Sequence, residues 1–126
     1  MSAPSDRKYL KTHEWHKLEN GLVTIGVTQF AADELTDITY VDLPKIGAKV
    51  AAGKAFGVIE SVKATSDLMC GIDGEVAEIN KALSDHPELV NSDPFNAGWM
   101  IRVRPASPAQ LDGLLSADAY AKQLAH

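Results

Sequence analysis

The sequence predicts a mainly β domain of many short strands, folded as a two-sheet sandwich with small helices at its ends. Three observations predict it. Two apolar runs, 55–59 and 68–70, flank a small polar connector holding Lys63, and such a pair reads as a β-hairpin. Asn20-Gly21 is a two-residue turn signal between two further strand-like runs, 9–18 and 22–27. Finally, a glycine-bearing turn feeds a strand on each side of the lysine, as a sandwich with quasi-twofold symmetry requires.

The elements follow in order. Residues 1–7 are polar and read as mobile. The stretch 9–18 alternates imperfectly and carries Trp15. Its partner, 22–27, puts Val23, Ile25 and Val27 on one face and Thr24 and Gly26 on the other. Residues 28–35 read as a short helix capped by Thr28, with Phe30 and Glu34 one turn apart. A strand over 38–43 stops at Pro44. Turns at Lys45-Ile46-Gly47 and Ala52-Gly53 bracket a short strand around Val50. After the Lys63 hairpin, 74–80 is one more strand.

Beyond Asn80 the pattern changes. Residues 81–84 make one helical turn, and 88–91 follow Pro87 as a helix start does. A closing strand over 99–103 ends at Pro105. Ser107 and Pro108 open a helical segment, 107–126, with Leu111, Leu114 and Leu115 at helical spacing. Ser116 starts its last helix, where Tyr120 and Leu124 stand four apart. These stripes read as core packing, and the whole chain, 1–126, as one domain.

Composition narrows the function. Twelve basic against 17 acidic residues leave a net charge of −5, which argues against nucleic acid. No apolar run approaches the roughly 18 residues of a membrane span, so no membrane partner is expected. The first six residues contain neither a secretory apolar core nor an Arg-rich presequence, so a cytoplasmic location is expected. Cys70 is the only cysteine. It reads as a small buried residue, and redox chemistry would need sulfur from a cofactor.

Most candidate sites fall to simpler readings. His13 and His16, taken as one strand, point to opposite faces and cannot share a metal ion. His86 and His126 stand alone, and no metal site is expected. Ser61 is not in a nucleophile-elbow context, and no glycine-rich phosphate loop appears. Asp33, Glu34 and Asp37 read as a solvated helix face. Lys63 sits at a hairpin tip, where an unmodified lysine is charged and a poor nucleophile at neutral pH. Glu60 and Asp67 flank it on the two arms, near the tip and on one side.

The string around that lysine changes its weight. Glu60-Ser61-Val62-Lys63-Ala64, followed by Ser66-Asp67, resembles the lipoyl-attachment segment of glycine cleavage system H proteins. His13-Glu14-Trp15, Ile25-Gly26-Val27-Thr28 and Tyr40-Val41-Asp42-Leu43-Pro44 are similar to that family's earlier landmarks. Pro87-Glu88-Leu89-Val90-Asn91, Asp93-Pro94-Phe95 and Gly98-Trp99-Met100 resemble its later ones. The motifs fall in family order over roughly residues 8–120. Two positions depart: Thr36 stands where the family usually has glycine, and Gly71 where it has proline.

The resemblance implies a barrel-sandwich hybrid of lipoyl/biotinyl type, with short peripheral helices and a C-terminal helix. It implies (R)-lipoate joined to Lys63 by an amide, on a carrier that is not itself a catalyst. Three enzymes are implied as partners: a pyridoxal-phosphate glycine decarboxylase, a tetrahydrofolate-dependent aminomethyltransferase and dihydrolipoamide dehydrogenase. Lipoate-attachment enzymes would read Glu60 and Asp67. A cationic amine on the loaded arm needs an acidic partner. The expectation is a surface cleft between the N-terminal strand and the hairpin, with Glu14 ahead of Asp67 as that partner. Lipoyl or biotinyl carriers of other complexes are the alternative. A biotin acceptor typically has methionines beside its lysine, and here the neighbours are Val62 and Ala64. Donation of lipoyl groups to other proteins also stays open.

Overall fold

A computed structural model describes residues 3–124. Its strands are β1 (Lys8–Tyr9), β2 (Glu14–Glu19), β3 (Leu22–Val27), β4 (Ile38–Asp42), β5 (Lys49–Val50), β6 (Ala55–Ser61), β7 (Thr65–Met69), β8 (Gly74–Ile79) and β9 (Ile101–Pro105). They form two unequal sheets. The larger runs β1-β2-β3-β9-β8-β5 and the smaller β4-β6-β7, with every pairing antiparallel. Helix α1 (Gln29–Leu35) joins β3 to β4. Two single turns, α2 (Ala82–Asp85) and α3 (Leu89–Ser92), precede β9, and α4 (Ala117–Leu124) closes the described chain.

The period-two pattern sets the core. Val23, Ile25, Ile59, Leu68, Ile72, Val76, Ile101 and Val103 are buried together, where two apolar sheet faces meet. A second cluster forms around Tyr9, Trp15 and Tyr120, whose two tyrosine rings stack 4.9 Å apart. Trp15 sits opposite Gly26 in the β2–β3 register, and its indole N–H reaches the Val27 and Pro94 carbonyls, both at 3.0 Å. A Cβ on Gly26 would stand 2.8 Å from the indole, so the ring packs only against glycine.

Four expectations need correction. The run 9–18 is not one strand: β1 and β2 form their own hairpin, turned through His13 in the left-handed region at φ 82°. The closing strand begins at Ile101 rather than Trp99, because Asn80 takes the Trp99 carbonyl into a turn through its side-chain amide at 2.7 Å. The helix expected after Ser107 is a 3₁₀ segment, Pro108–Gly113, and Ser107 makes no side-chain cap bond to it. Leu114 and Leu115 lie beyond that segment. Leu115 instead exchanges two 2.8 Å backbone hydrogen bonds with Tyr9.

The described N-terminal residues are held more closely than their polarity suggests. Residues 1–2 and 125–126, including His126, lie outside the described residues. Residues 3–7, expected to be loose, are held on the body. The Pro4 carbonyl accepts from the Tyr9 hydroxyl at 2.5 Å. Arg7 lies 4.6 Å above the Trp15 ring and donates to the Phe95 carbonyl at 3.0 Å. Ser116 does cap α4, accepting the Ala119 N–H at 3.1 Å.

Candidate functional site: an exposed lysine on a fixed hairpin tip

The β6–β7 hairpin makes up two strands of the smaller sheet, β6 at its centre and β7 at its edge. Its register pairs Val58 with Asp67, Ile59 with Ser66 and Glu60 with Thr65. Ile59 and Leu68 are buried beneath it. Alternation therefore turns Glu60 and Asp67 to the outward face, on diagonal positions of adjacent strands. Tyr40 extends that face on β4, opposite Glu60, and is half exposed.

Lys63 is exposed at the tip. Its ammonium donates to the Glu34 carbonyl at the end of α1, 2.8 Å away. Among the described residues no carboxylate pairs with it. The tip is tied down by backbone contacts as well. Val62 N–H donates to the Asp37 carbonyl at 3.1 Å. Ser61 N–H donates to the Ala64 carbonyl at 2.8 Å, and the Ser61 hydroxyl accepts from the amides of Lys63 and Ala64.

The segment against which the lysine leans is itself held under strain. Thr36 caps α1 at φ 63°, ψ −146°, a region that suits glycine. Asn91 holds it there: its side-chain amide donates to the Thr36 carbonyl at 2.7 Å and its oxygen accepts the Ile38 N–H at 3.0 Å. Thr28 caps the other end of α1, accepting from Ala31 N–H at 3.3 Å.

Glu14 is not where a surface cleft would put it. The side chain is 2% exposed, with both carboxylate oxygens engaged. One accepts the Met69 N–H at 2.9 Å, at the base of β7, and the other accepts the Thr12 hydroxyl. Burial raises its pKa to about 7, against the lowering effect of those two bonds. Asp67 lies two residues nearer the tip along the same strand and is exposed. Thr12, whose hydroxyl bonds the Glu14 carboxylate, is itself exposed.

The two neighbouring histidines serve separate partners. His13 precedes β2 and places Nδ1 2.6 Å from the Tyr120 hydroxyl, which also meets the Thr28 hydroxyl at 2.8 Å. Burial lowers its pKa, while the Glu34 carboxylate opposes that. His16 is buried, and its Nε2 accepts the Gly71 N–H at 3.0 Å. Burial lowers its pKa to about 4. Cys70 is buried too, and its thiol donates to the Ile72 carbonyl at 3.3 Å. Among the described residues no cluster of three or more His, Cys, Asp or Glu side chains could hold a metal ion.

Sequence reasoning missed three residues at this site. Ser61 is read as part of the attachment segment and dismissed as a nucleophile, but not as a turn residue, although a serine opening a tight connection signals a side-chain-to-backbone turn. Asn91 enters only as part of a family landmark and Thr12 not at all, because the partners that give them their roles lie elsewhere in the fold.

An exposed lysine at the tip of a hairpin in a two-sheet sandwich defines a barrel-sandwich hybrid of the lipoyl/biotinyl class. Comparison with known proteins gives the family. The family model described as "Glycine cleavage H-protein" matches residues 7–126. The chain is 49% identical over 117 residues to the glycine cleavage system H protein of Myxococcus xanthus, covering 93% of this chain and 91% of that one. It is 49% identical over 122 residues to the one from Chromobacterium violaceum, covering 96% and 95%. The crystal structure of a glycine cleavage system H protein from Mycobacterium marinum superposes with a TM-score of 0.91 at 36% identity, over 98% of this chain and 100% of that one. The chain belongs to the glycine cleavage H-protein family. No helix among its described residues is long and apolar enough to cross a membrane.

Proposed function

We propose that the protein is the lipoylated carrier of a glycine cleavage system, with (R)-lipoate in amide linkage to Lys63. The observation that carries the reading is the state of that lysine. It projects from a rigid tip, exposed, held by one backbone carbonyl and by no carboxylate among the described residues. Acylation therefore sacrifices no ion pair, and the neutral amide lets an apolar arm enter a partner's site without burying a charge. Lipoate supplies what no side chain here offers, a dithiolane that accepts two electrons and a one-carbon unit. The fold supplies the anchor, and tethering raises the group's concentration at each docked enzyme. The protein acts as a carrier subunit and not as a catalyst.

Its partners in this reading are glycine decarboxylase, the tetrahydrofolate-dependent aminomethyltransferase and dihydrolipoamide dehydrogenase, together with a lipoate-attachment enzyme. Glu60 and Asp67 share the outward face beside the tip, where that last enzyme meets them. Glu14 receives the amine of the carried aminomethyl group by a revised route. The exposed Thr12 hydroxyl is the group an ammonium would displace, after which the buried carboxylate ionises against the new charge. The test is peptide mass mapping of the protein from its own cells. A lipoyl increment on Lys63 is expected; a biotinyl increment, or none, overturns the proposal.

A further inference from the structure

The tip that carries Lys63 departs from an ordinary short hairpin. Two residues, Val62 and Lys63, connect Ser61 to Ala64. The turns that best suit a two-residue connection need positive φ at one or both central residues, because only then does the turn follow the twist of the strands. Neither Val62 nor Lys63 has a positive φ, and a β-branched valine resists one. The tip therefore closes in another way.

One of its two closing bonds is ordinary, from Ser61 N–H to the Ala64 carbonyl at 2.8 Å. The second normally runs from Ala64 N–H to the Ser61 carbonyl. Here it goes to the Ser61 hydroxyl oxygen, at 3.0 Å, and Lys63 N–H donates to the same oxygen at 3.1 Å. The hydroxyl's own proton points to the Ala64 carbonyl, 3.2 Å away. One hydroxyl thus orders two backbone donors and one acceptor across the lysine. The Val62 side of the tip is pinned independently by the Asp37 carbonyl.

We infer that Ser61 is the positioning residue for acylation of Lys63: its hydroxyl closes the turn and so fixes the direction in which the lysine is offered. The inference rests on the carrier reading and names how its site is prepared. Without the hydroxyl, Lys63 and Ala64 turn their amides to water and the lysine samples many directions. An attachment enzyme then finds the competent tip less often, which weakens apparent binding of the carrier. The strands stay paired, because the Glu60–Thr65 register and the Val62 bond do not involve the hydroxyl.

The test compares the full chain with Ser61→Ala and Ser61→Thr, using two readouts. Amide hydrogen exchange by NMR follows Lys63 and Ala64, with Met69 as an internal reference. Initial rates of acylation are measured with a purified lipoate–protein ligase, lipoate and ATP. In Ser61→Ala both tip amides should exchange about tenfold faster while Met69 is unchanged. Its kcat/KM for acylation should fall about tenfold, mainly through KM. Ser61→Thr, which keeps the hydroxyl, should restore both. Parent-like exchange in Ser61→Ala overturns the inference, as does an unchanged acylation rate or a threonine variant as slow as the alanine one. A parent chain that the ligase leaves unmodified overturns the carrier reading instead, and the exchange data still decide the turn.

Discussion

The ammonium of Lys63 and the carbonyl of Glu34 meet at 2.8 Å, 29 residues apart in the chain. Helix α1 has no basic residue in its own last turn. Lys63 supplies the cation that the negative end of the helix favours. The contact is exposed and screened, so its energy is small, but it orients an unmodified lysine against a defined surface.

Lys63→Arg keeps a cation at that surface and removes the amine that would be acylated. We expect unfolding free energy to change by no more than about 0.5 kcal/mol. Intact mass should show no lipoyl increment after incubation with ligase. An increment that survives on the variant would place the modification elsewhere and end the assignment of Lys63.

Thr36 occupies a conformation that costs a β-branched residue on the order of 1–3 kcal/mol. Thr36→Gly should therefore stabilise the protein, by about 1 kcal/mol after glycine's own entropy is charged against it. Urea unfolding measures this. Asn91→Ala should act in the opposite direction, since it strips the Thr36 carbonyl and the Ile38 amide of their partner. Equal or lower stability for Thr36→Gly would show that the backbone there is not strained.

Thr36 also shows what the sequence makes legible. Its departure from the family's glycine was visible, but the cost was not, since a φ of 63° is a property of the folded backbone. The Lys63 hairpin, the Thr28 cap and the β3 alternation were legible because each is written in neighbouring residues. The break between β1 and β2 was not, because it turns at a histidine rather than at glycine or proline. Glu14 misled for a related reason. A glutamate between a histidine and a tryptophan reads as an exposed charge, and only β7, 55 residues away, supplies the amide that lets it be buried.

Gly71 is the second departure, and its consequence is a hydrogen bond. A proline there has no N–H to donate, and His16 Nε2 would lose its partner in a buried site. Among the described residues His16 Nδ1 already lacks one. Gly71→Pro should cost about 1–3 kcal/mol in the parent. With His16→Leu in the background the added cost of the proline should shrink, because no acceptor is left unpaired. Additive costs in this double-mutant cycle would mean the two residues are not coupled.

The last prediction concerns Glu14 and pH. Burial raises its carboxyl to about 7 in the folded protein against an ordinary glutamate value of 4.5, so between those values the folded state binds more protons than the unfolded one. Stability from this group is full below about pH 4.5 and is lost as pH rises through 7. His16 works in the opposite direction. Its folded value of about 4 lies below histidine's ordinary 6.5, so its contribution is full above 6.5 and is lost as pH falls through 4. In the parent the two slopes oppose each other over their shared window. Glu14→Gln removes one of them, keeps an acceptor for the Met69 amide and turns an N–H towards the Thr12 hydroxyl, which then accepts instead of donating. The variant's stability relative to the parent should therefore rise from pH 4.5 to 7.5, by on the order of 2–3 kcal/mol. Urea titrations of both proteins across that range measure the difference directly. A difference that does not change with pH would mean that Glu14 titrates as an exposed carboxylate does. In that case the buried, Thr12-bonded carboxyl would lose its place as the amine's partner.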